Sequence, residues 1–148
     1  MKDAVVLDST PLGILCHPRN PPHVIACRQW VEALLLAGRR VLLPEIADYE
    51  VRRELIRINS QVALSNLDQL ATQLEYLPLS TAAMRLAAEL WAQARSAGQP
   101  TAPDPAIDAD VILAAQANTL RTAVVVATTN PVHLNRFVPA DVWSNITP

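Results

Sequence analysis

Ala4-Val5-Val6-Leu7-Asp8-Ser9-Thr10-Pro11 is the stretch on which the fold turns. Four apolar residues without polar alternation read as a strand buried on both faces, ending at Asp8. Ser9-Thr10-Pro11 then reads as a turn into a helix, with Ser9 or Thr10 as the N-cap, Pro11 at the first helical position and a short helix over Leu12–Leu15. Cys16 to Pro22 carries three prolines and reads as a loop. Val24–Ala37 has helical periodicity, with Ile25, Trp30, Val31, Leu34 and Leu35 near one face, and Gly38 stops it. The same alternation continues down the chain. Val41–Leu43 reads as a strand broken at Pro44. Helices follow over 45–57 and 62–74, then a weak strand near Tyr76-Leu77. Ser80 caps a helix that runs to Ala97 and ends at Gly98. Gln99–Pro105 reads as a Pro-rich loop and 108–118 as an Ala-rich helix. Ala123–Ala127 is the strongest strand, and a last one lies near Val142-Trp143. Short unalternating strands separated by helices predict a three-layer α/β/α fold on a central, mainly parallel sheet. No interior linker or repeat divides the chain, so one domain over 1–148 is expected.

Composition agrees and removes several function classes. With 148 residues and 51% apolar content, one core suffices without disulfides or a structural metal. The two cysteines, Cys16 and Cys27, make no disulfide framework and read as small buried residues. No apolar run approaches the roughly 20 residues of a membrane span. The opening Met1 to Asp8 meets a charge too soon to be a signal peptide, its apolar run ending at Asp8, so a cytoplasmic protein without membrane contact is expected. Only three glycines are present, Gly13, Gly38 and Gly98, and they form no phosphate-cradling cluster. A haloacid-dehalogenase-type phosphotransferase needs a second Asp at position 10, where Thr10 stands. His17, His23 and His133 have no ligand spacing, although His133 falls nearest the strand-end residues. Net charge is −2, from 12 basic and 14 acidic residues. Eleven of the basic residues are Arg, the better phosphate fork.

In open parallel sheets, ligands bind outside the carboxyl ends of the strands. Asp8 follows the first strand, Glu50 lies in the helix after the second, Asp108 and Asp110 open the helix before the fourth, and Thr128-Thr129-Asn130 follow the fourth. Four acids from three distant segments thus converge on one sheet edge. Carboxylates a few ångströms apart repel, and a hard cation relieves them. Mg²⁺ or Mn²⁺ takes oxygen ligands and retains waters, which suits phosphodiester hydrolysis by water. Asp108 and Asp110 are two residues apart, so in a regular helix only one faces the site, and Asp108 contributes from a capping position. Arg52, Arg53 and Arg136, with Arg121 nearby, lie near the same segments as candidates for binding phosphate.

These segments resemble the PIN domain, the fold of VapC-like toxin ribonucleases. Val5-Val6-Leu7-Asp8-Ser9-Thr10 resembles its first motif, and Pro44 to Leu55, with helical Glu50, its second. Asp108-Ala109-Asp110-Val111-Ile112-Leu113-Ala114-Ala115-Gln116-Ala117 is similar to the third, Asp-x-x-Ile-Ala-Ala-x-Ala. Val124 to Asn130 followed by Phe137 resembles the fourth. The resemblance implies an acidic triad of Asp8, Glu50 and Asp110, with Asp108 as an extra acid. It implies Ser9 or Thr10 and Thr128 as hydrogen-bond supports for a carboxylate or water. Asn130 stands where many members carry a fourth Asp, so this site has one charge fewer. The resemblance further implies single-stranded RNA as substrate, Mg²⁺ or Mn²⁺ as cofactor, a homodimer, and an antitoxin protein as partner. The alternative is a catalytically weak PIN-like module that binds RNA or protein, favoured by Asn130 and the negative net charge.

Overall fold

In the computed structural model, which describes residues 3–97 and 104–148, the element order is β1 (Ala4–Leu7), α1 (Ser9–Leu15), α2 (Pro22–Leu36), β2 (Val41–Pro44), α3 (Glu45–Arg57), α4 (Gln61–Gln73), β3 (Glu75–Leu77), α5 (Thr81–Ser96), α6 (Asp104–Asn118), β4 (Val124–Thr128) and β5 (Ala140–Val142). Short 3₁₀ turns lie at Leu134–Arg136 and Trp143–Asn145. Among the described residues no helix is long and apolar enough to cross a membrane.

All four strand pairings are parallel, and the order is β3-β2-β1-β4-β5. The fully apolar strands are explained by the two cores. Val5, Leu7, Val41 and Leu43 join one core cluster with Leu12, Leu34 and Leu67, which come from α1, α2 and α4. Ala4, Val6, Leu42, Val124 and Val126 join a second cluster with Leu113, Ala114 and Ala117 of α6. Alternate side chains of each strand therefore enter opposite cores, which gives the three layers. On the second face α5 and α6 meet through Ala83, Ala87, Val111 and Ala115, whose small side chains permit close approach. Helix α3 spans the join: Ala47 and Val51 belong to the first core and Ile46 to the second.

Several local expectations are corrected. The N-cap of α1 is Asp8, whose carboxylate accepts from Ser9 N, and Pro11 is the third helical residue. Its missing N–H costs nothing there, because the first turn has no intrahelical acceptors for it. Helix α2 buries Val24, Cys27, Trp30, Val31 and Leu34, while Ile25 and Leu35 are exposed. Pro44 is the last residue of β2 and pairs with Leu77. Gly38 does terminate α2, at φ +79°, a conformation that favours glycine. Helix α6 begins at Asp104, so Asp104 and Pro105 are helical and Asp108 lies in the second turn. Pro105 is tolerated for the same first-turn reason as Pro11. The stop at Gly98 and the loop over 99–103 lie outside the described residues. Both cysteines are buried and free, and burial pushes their thiols up to about 12.

Candidate functional site

Strand β1 sits between β2 and β4, so the chain leaves it toward one side of the sheet and later returns on the other. The carboxyl ends of β1 and β4 therefore flank the switch point where such sheets bind ligands. Asp8 stands there. Its backbone N–H donates to Ala127 O at 2.9 Å, which holds it to the end of β4. Ser9 N donates to Asp8 Oδ1 at 2.7 Å and the Ser9 hydroxyl lies at 3.4 Å from the same oxygen. The hydroxyl of buried Thr128 donates to Asp8 Oδ2 at 2.7 Å. Oδ2, with one donor, keeps a lone pair for a further ligand. Thr10 does a different job: its hydroxyl accepts from Thr129 N at 3.2 Å and ties α1 to the β4 exit. Asn130 is exposed, and its backbone N–H donates to Thr128 Oγ1 at 3.2 Å.

Glu50 and Asp110 are half-buried and reach this edge from α3 and α6. Their electrostatics report the convergence. Burial pushes Glu50 up to about 7, helped by the negative charges of Asp8 and Asp110 and opposed by Arg53. Burial likewise pushes Asp110 up to about 6, with Asp8 acting in the same sense and His133 and Arg136 against it. Asp8 thus acts on both Glu50 and Asp110, and Asp110 acts on Glu50, in addition to the larger effect of burial.

Asp108 is placed differently. Two helical residues subtend about 200°, and Asp108 is exposed where Asp110 is half-buried. It is not among the charges acting on Glu50 or Asp110. It lines a cleft between α3 and α6 instead. The arginines also separate. Arg53 lines clefts on both sides of Glu50 and stands 5.1 Å over the Tyr49 ring. Arg136 follows β4, with its Nε donating to His133 O at 3.3 Å. Arg52 is engaged by carboxylates, Asp48 and Asp68, each at 2.9 Å. Arg121 lies in the turn before β4, at the opposite end of the strand from Asp8.

Two residues that position the site carried no sequence signal of that role. Helix α3 begins after Pro44 with no side-chain cap of its own. Fully buried Gln116 of α6 supplies one: its Oε1 accepts from Ile46 N at 3.2 Å, and its Nε2 donates to Leu77 O at 2.9 Å. Asp48, on the inner side of α3, accepts from Tyr76 OH at 2.7 Å as well as from Arg52. Their partners lie 70 and 28 residues away, so only the tertiary fold reveals them. Gln116→Leu is expected to lower stability by about 2 kcal/mol, because it leaves a buried N–H and a partly buried carbonyl unsatisfied. A urea melt checks this.

The donor set suits a hard cation. Asp8, Glu50 and Asp110 offer only oxygen, in surroundings whose like charges a divalent ion would relieve. Among the described residues no three carboxylate, imidazole or thiol side chains already close into a ligand cage. Mg²⁺ and Mn²⁺ are commonly held through one or two carboxylates and several waters, so a loose arc of acids fits them.

A model of the family described as PIN domain matches residues 5–134. The chain is also similar to solved structures. One is FitAcB from Neisseria gonorrhoeae, at 20% identity and TM-score 0.70, covering 96% of this chain and 99% of that one. Another is VapBC2 from Rickettsia felis bound to a DNA fragment from their promoter, at 16% identity and TM-score 0.74, covering 95% and 98%. A third is DNA-bound VapBC from Salmonella typhimurium, at 20% identity and TM-score 0.69, covering 96% and 99%. At these identities the likeness is one of fold. No curated protein sequence matches the chain.

Proposed function

Because the chain belongs to the PIN domain family, we propose that it is a metal-dependent endoribonuclease that hydrolyses single-stranded RNA in the cytoplasm and serves as the toxin of a toxin–antitoxin pair. The observation that carries this reading is the approach of Asp8 and Asp110 to half-buried Glu50 at the β1/β4 edge, where burial first and the two neighbouring negative charges second bring Glu50 to about 7. Mg²⁺ or Mn²⁺ held there supplies charge neutralisation and water activation. Asp8, fixed by Ser9 and Thr128, keeps a set orientation and remains the anchoring ligand. Glu50 is poised to give up its proton near neutral pH when a cation arrives, or to take one from attacking water. Arg53, beside Glu50, offers its guanidinium fork to the phosphates flanking the scissile bond, and Arg136, whose charge acts on Asp110, adds positive potential there. Arg52, already engaged by two carboxylates, is left out of that role.

The solved structures of FitAcB and VapBC proteins support an antitoxin as partner. A groove of about 350 Å³ bordered by Leu15, Val31, Leu35 and Leu70 offers such a partner an apolar seat between α2 and α4. A homodimer belongs to the same reading.

The test is cleavage of a short unstructured RNA by purified protein with Mn²⁺ and with EDTA. Cleavage is expected with the ion and none with the chelator. Equal cleavage in both overturns the proposal. The second reading, a catalytically weak binding module, is favoured by Asn130, a neutral ligand at an exposed position. Calorimetric titration with Mn²⁺ separates the two: the nuclease binds the ion, and the module does not.

A further inference from the structure

Beside Glu50, on the side away from Asp8's helix, a cleft of about 240 Å³ opens between α3 and α6. Its apolar lining comes from Ile46 and Ile112, with the small Ala109 leaving room between them. Tyr49 forms one wall and is 56% exposed. The guanidinium of Arg53 covers the Tyr49 ring at 5.1 Å, so ring and cation form a ready platform for a flat π-system. Asp108, exposed and acceptor-only, stands at the rim. The cleft thus combines a thin apolar slot, a stacking platform and a carboxylate, and it shares Glu50 with the acidic site.

We propose that this cleft is a base-recognition subsite that takes one unpaired guanine of the RNA strand, next to the bond being cut. The inference rests on the ribonuclease reading. Single-stranded RNA is read by stacking bases on aromatic and guanidinium planes and by hydrogen bonds to their Watson–Crick edges. A carboxylate selects for donors on that edge. Guanine alone presents two adjacent donors, N1–H and the 2-amino group, matched to two carboxylate oxygens. Adenine and cytosine offer one amino group beside an acceptor nitrogen. Uracil flanks its single donor with two carbonyls that repel a carboxylate. Asp108 is therefore a specificity residue, and Tyr49 with Arg53 is the sequence-blind part of the grip.

The experiment has two arms. In the first, GMP and UMP are titrated into the full chain without metal and followed by NMR shifts. GMP is expected to perturb Tyr49 and the α6 segment near Asp108, UMP much less, and Asp108→Asn to abolish the difference. In the second, oligonucleotides that vary one nucleotide at a time are cleaved with Mn²⁺. One position beside the cut is expected to favour guanine by about tenfold, as one bidentate edge contact discriminates. Asp108→Asn is expected to remove that preference, while Tyr49→Ala raises KM for every oligonucleotide and Tyr49→Phe restores it. GMP binding without any cleavage refutes the nuclease reading but keeps the subsite. Cleavage with a preference that Asp108→Asn leaves intact refutes the subsite alone. A change of oligomeric state in Tyr49→Ala with base preference unchanged also refutes it, and marks this face as a contact between copies.

Discussion

Asp8→Asn is expected to lower Mn²⁺-dependent RNA cleavage by about a hundred- to a thousandfold, the range seen when a group stabilising the transition state is removed. The protein should remain folded. The substitution keeps Asp8's shape, and an amide oxygen can still accept from Ser9 N, so the start of α1 is preserved. What disappears is the charge at the point where β1, β4 and α1 meet. An amide binds a hard cation far more weakly than a carboxylate, and its NH₂ would face the Thr128 hydroxyl that now donates to Oδ2. Three measurements on one preparation check this: cleavage rate, Mn²⁺ affinity and melting temperature. Loss of cleavage with unchanged Mn²⁺ affinity would mean that Asp8 is not the anchoring ligand. Full cleavage by a folded Asp8→Asn protein would falsify the mechanism.

Glu50→Gln should stabilise the metal-free protein at pH 7.5 while also removing activity. The sign follows from linkage. Glu50 holds its proton up to about 7 in the fold, against an ordinary value of 4.5, and Asp110 up to about 6 against 3.8. Between those limits the native state binds more protons than the unfolded chain. Stability without metal therefore falls as pH rises from about 4 to 7 and levels off above it. After discounting for solvent screening at these half-buried positions, the Glu50 contribution is about 1 kcal/mol. Urea melts in EDTA at pH 5 and pH 7.5 should show that decline in the wild type and a smaller one in Glu50→Gln. Mn²⁺ at pH 7.5 should restore the wild type and stabilise the variant less. A wild-type protein more stable at pH 7.5 than at pH 5 under EDTA would contradict the raised values of Glu50 and Asp110. Stability and activity thus pull apart at one residue, as they do where a site keeps like charges together for function.

How these acids came to be legible is clearest from β1. A buried parallel strand must be apolar on both faces, so Ala4 to Leu7 declares itself, and the first polar residue after it marks the sheet edge. Asp8, Thr128 and Asn130 could be placed at that edge from the sequence for this reason alone. Glu50 needed the resemblance as well, because a Glu on a helix rich in charged residues has no local mark of its own. Asp48, two residues earlier, has the same local character, yet the structure buries it under Tyr76 and Arg52. The helix starts were less legible. Asp8 displaced Ser9 and Thr10 as N-cap, since one side chain can close a strand and open the next helix when no residue separates them.

Strand and helix identity, the parallel sheet and the place of Asp8 at its edge were therefore determined by the sequence by itself, because they follow from local periodicity and from what a doubly covered strand requires. Which acid faces which, which arginine is already engaged, and which glutamine caps α3 were decided only by the tertiary structure. Those are properties of pairs whose members lie far apart in the chain, such as Gln116 with Ile46 and Asp8 with Thr128. Hydrogen bonds and Coulomb forces act over a few ångströms of space, and no local pattern of residue types records that distance.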